Sequence, residues 1–164
     1  NLSASDVVGV LNRIFSAFDR LVDLHRAEKI KTIGDGYMVA VGIPEPCDDH
    51  AAIAARLSLT MLDHFAEIRS GMEAPIQLRV GLHTGPAIAG VIGERKFAYD
   101  IWGTTVNIAS RMESHGAAGR VHVSKTVADR LAGRFTLIPR GAVEVKGAGL
   151  METFWLEGLE GSNP

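Results

Sequence analysis

The chain has 164 residues and a formal net charge of −2, with 46% hydrophobic and 22% charged residues. This length fits one domain with a buried core, and the charge excludes the basic surface of a nucleic-acid-binding protein and the polybasic segment of a lipid-binding one. One cysteine, Cys47, excludes an internal disulfide and favours a reducing, cytoplasmic compartment. We expect no membrane contact by this domain, and a tether elsewhere in a longer protein stays compatible with that.

The first half of the chain predicts a helix, a hairpin and a second helix. Ser3 or Ser5 can cap a first helix whose apolar residues recur at helical spacing. Two apolar stretches flank Gly34-Asp35-Gly36, and they predict strands around a tight turn because glycine accepts the positive φ that the turn needs. Asp48 or Asp49 can cap the next helix.

The second half predicts more strands than helices. Leu78 to His83 and Pro86 to Ile92 predict two strands joined at Thr84-Gly85. The later predicted elements are a helix over Gly103 to Ser114, a strand over Arg120 to Ser124, a helix over Thr126 to Ala132, and a hairpin layer of Phe135 to Ile138 and Val143 to Val145 with Thr153 to Leu156. This order predicts an α+β sandwich with a mainly antiparallel sheet, and a ferredoxin-like βαββαβ core fits it apart from its opening strand.

Five polar residues stand at informative spacings within these elements. Lys31 lies four residues before Asp35 in K-T-I-G-D-G-Y. Asp100 opens D-I-W-G-T-T-V-N-I-A-S-R, in which Asn107 and Arg111 are four residues apart and share one helical face.

These motifs resemble the catalytic domain of the class III nucleotidyl cyclases, specifically the adenylyl type. The resemblance runs from about Leu11 to Leu156 and implies one catalytic domain over residues 1–157, with a flexible tail at 158–164. It implies a lyase that converts ATP to 3′,5′-cyclic AMP and pyrophosphate, in a signalling role. In that scheme the ribose 3′-oxygen attacks the α-phosphorus in line, assisted by two divalent ions, Mg²⁺ or Mn²⁺.

The resemblance also assigns roles to seven residues. Lys31 and Asp100 bind adenine, Asn107 orients the ribose, and Arg111 meets charge that develops at the α-phosphate. The resemblance implies that Asp35 is a metal ligand. It also implies two phosphate ligands, Arg79 in L-R-V-G-L-H-T-G and Lys146 in V-K-G-A-G. It further implies a homodimer with shared sites, in which Asp35 and Arg79 come from one subunit and the other five residues from its partner.

The sequence departs from the family pattern at its amino terminus. A class III cyclase domain normally opens with an apolar strand that carries a second metal-binding aspartate, whereas residue 1 of this sequence already stands at the predicted helix cap. Asp6 lies in the first turn of that helix and is not the expected aspartate. The resemblance therefore predicts that these 164 residues by themselves are close to inactive.

Simpler interpretations stay open for several of these residues. Asp35 can serve only the hairpin turn, Lys31 can be a solvated strand residue of the same parity as Lys29, and Asp100 can cap the helix that follows. Asn107 with Arg111 can be an ordinary surface pair. At the level of function, the alternatives are a nucleotide-binding or regulatory module without turnover and a guanylyl cyclase, in which the family places glutamate and cysteine at the base-reading positions.

Overall fold

The computed structural model describes residues 3–72 and 75–161, and within these ranges it contains four helices and eight strands. The helices are α1 (Ala4–Leu24), α2 (His50–Ser70), α3 (Thr104–Ser114) and α4 (Lys125–Leu131). The strands are β1 (Glu28–Ile33), β2 (Gly36–Ala40), β3 (Val80–Leu82), β4 (Ile88–Ile92), β5 (Ala98–Trp102), β6 (Val121–Ser124), β7 (Phe135–Val145) and β8 (Gly149–Leu159). Among the described residues no helix combines the length and the apolar character needed to cross a bilayer.

Helix α1 starts where the sequence predicts, at a serine cap. The Ser3 side chain accepts a hydrogen bond from the Asp6 amide at 3.2 Å, and the Asp6 carboxylate accepts one from the Ser3 amide at 3.0 Å. This reciprocal capping box satisfies two amides that the first turn leaves free. One face of α1 then packs on α2 in a core cluster whose buried members are Ile14, Phe18, Leu21, Val22, Leu57, Met61 and Phe65.

The predicted α+β architecture with mainly antiparallel pairing is confirmed. The four-stranded sheet has the order β3-β6-β8-β7, and the hairpins β1-β2 and β4-β5 form two separate ladders. Among the described strand pairs, β3 with β6 is parallel and the other four pairs are antiparallel. Helices α2 and α4 cover one face of the large sheet, and α3 packs on residues of β7 and β8 at the other face.

The two predicted strands on either side of Thr84-Gly85 are present, but they belong to different ladders. The strands before and after Thr84-Gly85 do not form a hairpin: β3 pairs in parallel with β6, while β4 pairs with β5. Strand β5 was not predicted, because its polar residues Tyr99 and Asp100 hide the apolar alternation. The glycine at position 93 has a φ of +104° and begins the turn that joins β4 to β5.

The carboxyl-terminal hairpin is longer than the sequence predicts. Strands β7 and β8 each have 11 residues, and β8 extends through Leu159, beyond the predicted start of the tail at Gly158. Residues 162–164 of the predicted tail lie outside the described residues.

Among the glycines of the described chain, Gly81 has the least space for a side chain, because β3 lies directly against α3 there. A Cβ atom placed on Gly81 would lie 2.1 Å from the Glu113 amide nitrogen and 2.6 Å from the Met112 carbonyl carbon. Both neighbours are backbone atoms, so a side chain at position 81 cannot be accommodated by a rotamer change. A glycine is therefore required for β3 to lie directly against the last turn of α3.

We predict that Gly81→Ala lowers the free energy of unfolding by at least ~2 kcal/mol, since the strand and the helix must separate to admit the methyl group. Urea unfolding monitored by circular dichroism measures this loss. The matched control is Gly9→Ala in exposed α1, where nothing lies within 4 Å of the added carbon. That change should stabilise the fold by up to ~1 kcal/mol, and a wild-type unfolding midpoint for Gly81→Ala would contradict the packing described.

Candidate active site

The two predicted base-reading residues form a direct ion pair. Lys31 lies in β1 and Asp100 in β5, and the Lys31 Nζ atom is 2.6 Å from the Asp100 Oδ2 atom. The other carboxylate oxygen of Asp100 accepts a hydrogen bond from the Ile101 amide at 2.7 Å. Asp100 is therefore fixed at both oxygens, and Lys31 is fixed by Asp100.

A strand irregularity separates Lys31 from Lys29. The register of β1 against β2 shifts between Lys29 and Lys31, so the simple alternation of the strand is interrupted at this point. Lys29 pairs with Asp19 of α1, 2.8 Å away, whereas Lys31 reaches Asp100 of β5. The two lysines thus have different environments, although the sequence parity predicts one shared face.

The ion pair sets the protonation of Asp100. The hydrogen bond from Lys31, supported by the one from the Ile101 amide, holds the pKa of the Asp100 carboxyl below its ordinary value. The Asp100 side chain is 17% exposed, so water reaches it only in part. At neutral pH it is a fixed hydrogen-bond acceptor beside a fixed donor.

Asn107 and Arg111 lie on the exposed face of α3, as the four-residue spacing predicts. The opposite face of the helix is buried through Ile108 and Met112. Neither Asn107 nor Arg111 forms a side-chain hydrogen bond with another described residue. Both side chains are therefore free to meet a ligand on the solvent side of the helix.

Lys146 is carried to the same region by the terminal hairpin. It lies in the turn between β7 and β8, where Gly147 has a φ of +86°. Its neighbour Val145 is buried in one cluster with Ile108 and Met112 of α3. The end of β7, directly before Lys146, is therefore packed on the buried face of α3.

Asp35 occupies the tip of the β1-β2 hairpin. It is exposed, and it follows Gly34, whose φ of +58° forms the turn that the sequence predicts. Among the described residues no group of three or more histidine, cysteine or carboxylate side chains is placed to hold a metal ion. Asp35 is an accessible carboxylate, which suits an ion that takes most of its ligands from water and phosphate.

Arg79 is not free in the structure. Its Nε atom donates to the Glu113 carboxylate at 2.9 Å, which ties the start of β3 to the last turn of α3. This bond uses one edge of the guanidinium group and leaves the terminal nitrogens available. Sequence reasoning missed Glu113, because nothing in the sequence links it to an arginine 34 residues earlier.

His83 has a structural partner. Its Nδ1 atom lies 2.7 Å from the Ser124 hydroxyl, and burial lowers the pKa of the imidazole. This histidine joins the ends of β3 and β6. The bond gives His83 a structural role at the end of β3.

The sequence profile of the adenylate and guanylate cyclase catalytic domain matches residues 1–158. An adenylate cyclase of Mycobacterium tuberculosis is 48% identical over 154 residues, which are 94% of this chain and 35% of that protein. The human guanylate cyclase soluble subunit beta-2 is 47% identical over 152 residues, 92% of this chain and 25% of that protein. The chain thus spans about a third or less of the length of these curated relatives.

A solved structure has the same arrangement of elements. The guanylate cyclase domain of RhGC from Catenaria anguillulae, determined in complex with GTP, superposes with a TM-score of 0.88 at 34% identity. The match covers 98% of this chain and 88% of that one. Similar proteins are therefore named for both adenylate and guanylate cyclisation.

We predict that Lys31→Met raises the pKa of Asp100 toward its ordinary value, because the largest cause of the lowering is then lost. The carboxyl ¹³C shift of Asp100, followed by NMR against pH, measures this change. Since the folded-state pKa is lowered, the pair stabilises the fold above the ordinary carboxyl pKa, and this contribution is lost as the pH falls through the folded value. Lys29→Met is the matched control, and it should raise the pKa of Asp19 and leave Asp100 unchanged.

Proposed function

Because the chain belongs to the class III adenylate and guanylate cyclase catalytic domain family, we propose that it converts ATP to 3′,5′-cyclic AMP and pyrophosphate. The observation that supports ATP as the substrate is the ion pair between Lys31 and Asp100, whose charged atoms are 2.6 Å apart. The ammonium group can donate to adenine N1, and the carboxylate can accept from the 6-amino group. Guanine presents the reverse pattern, so this pair leaves it mismatched.

Guanylate cyclisation is the second candidate, since the family and its similar members include both activities. A guanine site needs an acceptor for the N1 hydrogen and a donor for O6. In this site, Lys31 supplies a donor where guanine needs an acceptor, and the ionised Asp100 supplies an acceptor where guanine needs a donor. A site with fixed polar groups rejects a mismatched base strongly, because each buried group that lacks its partner costs free energy.

In the proposed reaction the 3′-oxygen bonds to the α-phosphorus as the bond to the pyrophosphate oxygen breaks, and the 3′-hydroxyl proton passes to solvent. Asn107 orients the ribose, and Arg111 offers its planar fork of donors to the α-phosphate oxygens. Arg79 and Lys146 bind the terminal phosphates. The free side chains of Asn107 and Arg111 on one exposed face of α3 support these assignments.

Asp35 is the proposed protein ligand for Mg²⁺ or Mn²⁺. Its carboxylate is a hard oxygen donor in an exposed turn, and Mg²⁺ is commonly held by one or two carboxylates together with substrate phosphates. When bound, two divalent ions acidify the 3′-hydroxyl and neutralise phosphate charge. Gly34 and Gly36 contribute by letting the hairpin backbone come close to the triphosphate.

The proposed assembly is a homodimer with two shared sites. None of the seven assigned residues lines either of two grooves of the described chain, which have volumes of about 500 and 350 Å³. Six of the seven are exposed and Asp100 is half-buried, as expected where a second subunit closes the site. The β4-β5 hairpin exposes a set of apolar side chains that suits burial against a second copy: Ile88, Val91, Ile92 and Phe97.

A cytoplasmic location is part of the proposal. The free thiol of Cys47 fits a reducing compartment.

Base choice tests the adenine assignment. In the full-length protein, Lys31→Glu combined with Asp100→Cys should lower ATP turnover by roughly two or more orders of magnitude, since both hydrogen bonds to the base are lost. Cyclic AMP and cyclic GMP formation from ATP and GTP with Mn²⁺ measures it. Lys29→Gln on the same strand is the control and should retain ATP turnover. Unchanged ATP kinetics in the double variant would remove the base-reading role.

Subunit complementation tests the shared sites. Asp35→Ala and Asn107→Ala should each be inactive, but in a mixed dimer one site takes both intact residues. Random mixing makes about half of the dimers mixed, each with one intact site of two, so activity should return to roughly a quarter of wild type. Cyclic AMP formation after subunit exchange measures the recovery.

The control for complementation is a mixture of Asn107→Ala with Arg111→Ala. These residues belong to the same side of the site, so every site in that mixed dimer lacks one of them and nothing is rescued. If the Asp35 and Asn107 variants exchange subunits without recovering activity, each site lies within a single chain.

A further inference from the structure

The last turn of α3 is held by side chains from the sheet. The final carbonyl groups of a helix have no donor within the helix itself. The His122 Nδ1 atom lies 2.7 Å from the Met112 carbonyl oxygen, and Arg140 Nη2 donates to the His115 carbonyl oxygen at 2.6 Å. Since a carbonyl can only accept, the His122 ring must carry its proton on Nδ1.

Both donors, His122 and Arg140, lie close to the aromatic ring of Trp155. The imidazole of His122 lies against Trp155 with the ring centroids 5.0 Å apart and the ring planes tilted by 45°, and the Arg140 Cζ atom lies 5.1 Å from the centroid of the same ring. We call His122, Arg140 and Trp155 the α3 clamp. Because these residues come from β6, β7 and β8, the clamp fixes the end of α3 to three strands of the sheet.

The alternation of β6 separates the clamp from the main core. Val121 and Val123 are fully buried in the cluster covered by α2 and α4. His122 lies between them and points to the other face, where it meets Met112 of α3. A change at position 122 therefore acts on α3, whereas a change at position 123 acts on the opposite core.

The buried Nε2 atom of His122 destabilises the folded state. The side chain is completely buried, and its Nε2 atom has no hydrogen-bond partner among the described residues. Burial lowers the pKa of His122; the hydrogen bond to the Met112 carbonyl opposes this effect, and the nearby Arg140 and His115 add to it. A buried polar atom without a partner destabilises a fold, which indicates that the Nδ1 bond serves a purpose that an apolar side chain cannot serve.

We propose that His122 is a positioning residue for the α3 active-site face. By fixing the Met112 carbonyl, it sets the last turn of α3 and hence the direction of the neighbouring Arg111 side chain. Asn107 lies one turn earlier and depends on the clamp less. The inference rests on the proposed function for its effect on catalysis, but its effect on α3 can be measured without any activity.

The test compares His122→Phe, which removes the donor, with His122→Asn, whose side-chain amide can take the place of Nδ1. Val123→Ala is the matched control, because it opens a cavity in the opposite core. In the full-length protein, hydrogen exchange followed by mass spectrometry reports on residues 104–116, and steady-state kinetics with ATP reports on turnover. If His122→Phe does not fold, His122→Gln replaces it, since its amide reaches toward the Nε2 position instead.

We expect His122→Phe to speed exchange in the last turn of α3 by about tenfold, in line with the loss of one buried hydrogen bond. The kcat should fall by roughly ten- to a hundredfold with KM for ATP changed less than about threefold, because Arg111 is assigned to the transition state. His122→Asn should recover most of both losses. Val123→Ala should lower the unfolding midpoint while α3 exchange, relative to the rest of the chain, and kcat stay near wild type.

Wild-type exchange of α3 in His122→Phe would overturn the inference. So would an equal loss of kcat in Val123→Ala at matched stability, since His122 would then act only through general stability. If the unaltered protein makes no cyclic AMP, the proposed function fails, and the exchange of residues 104–116 in the two His122 variants still decides whether the clamp sets α3.

Discussion

The contact between β3 and α3 at Gly81 is the constraint on which the candidate site depends. With no side chain at this position, the strand backbone lies against the amide of Glu113 and the carbonyl of Met112. The same helical turn receives Arg79 through Glu113 and is held from the sheet by His122. The helix that carries Asn107 and Arg111 therefore has one position relative to the strands, and this position is set mainly by its carboxyl-terminal turn.

The amino-terminal end of α3 is set by a different connection. Strand β5 ends at Trp102, and Gly103, with a φ of +135°, turns the chain directly into the helix. Asp100 is thus joined to Asn107 through a short, defined segment, and Lys31 follows Asp100 through their ion pair. The Lys31–Asp100 pair and the exposed face of α3 are consequently linked by a short segment of chain, which agrees with the proposed reaction because its rate depends on orientation.

Much of the fold could be predicted from residues that are neighbours in the sequence. The features that could not be predicted depend on contacts between residues far apart in the sequence. The serine cap of α1 and the glycine-flanked hairpin depend on neighbouring residues, and both are present in the structure. Strand β3 pairs with β6, 41 positions later in the Val80 and Val121 register, and no residue near β3 in the sequence indicates that partner.

The candidate site shows the same division between local and distant effects. The four-residue spacing of Asn107 and Arg111 correctly predicted one helical face, with Ile108 and Met112 buried opposite. The strand irregularity between Lys29 and Lys31 could not be seen, because parity assumes an unbroken ladder. The partner of Arg79 and the role of His122 were also hidden, since both depend on contacts made only after the sheet and α3 come together.

The distribution of charge agrees with the division of labour proposed for the site. The opposite charges of Lys31 and Asp100 cancel. An uncharged base can therefore bind beside this pair without leaving a net charge in the site. Arg111 and Lys146, in contrast, have no carboxylate within ion-pair distance among the described residues. In a chain with a net charge of −2, attraction for a triphosphate must be local, because a unit charge in salt solution acts over only about 10 Å. Unpaired cations beside α3 provide that attraction where the phosphates are proposed to lie, while the paired ions leave the selection of the base to hydrogen-bond geometry.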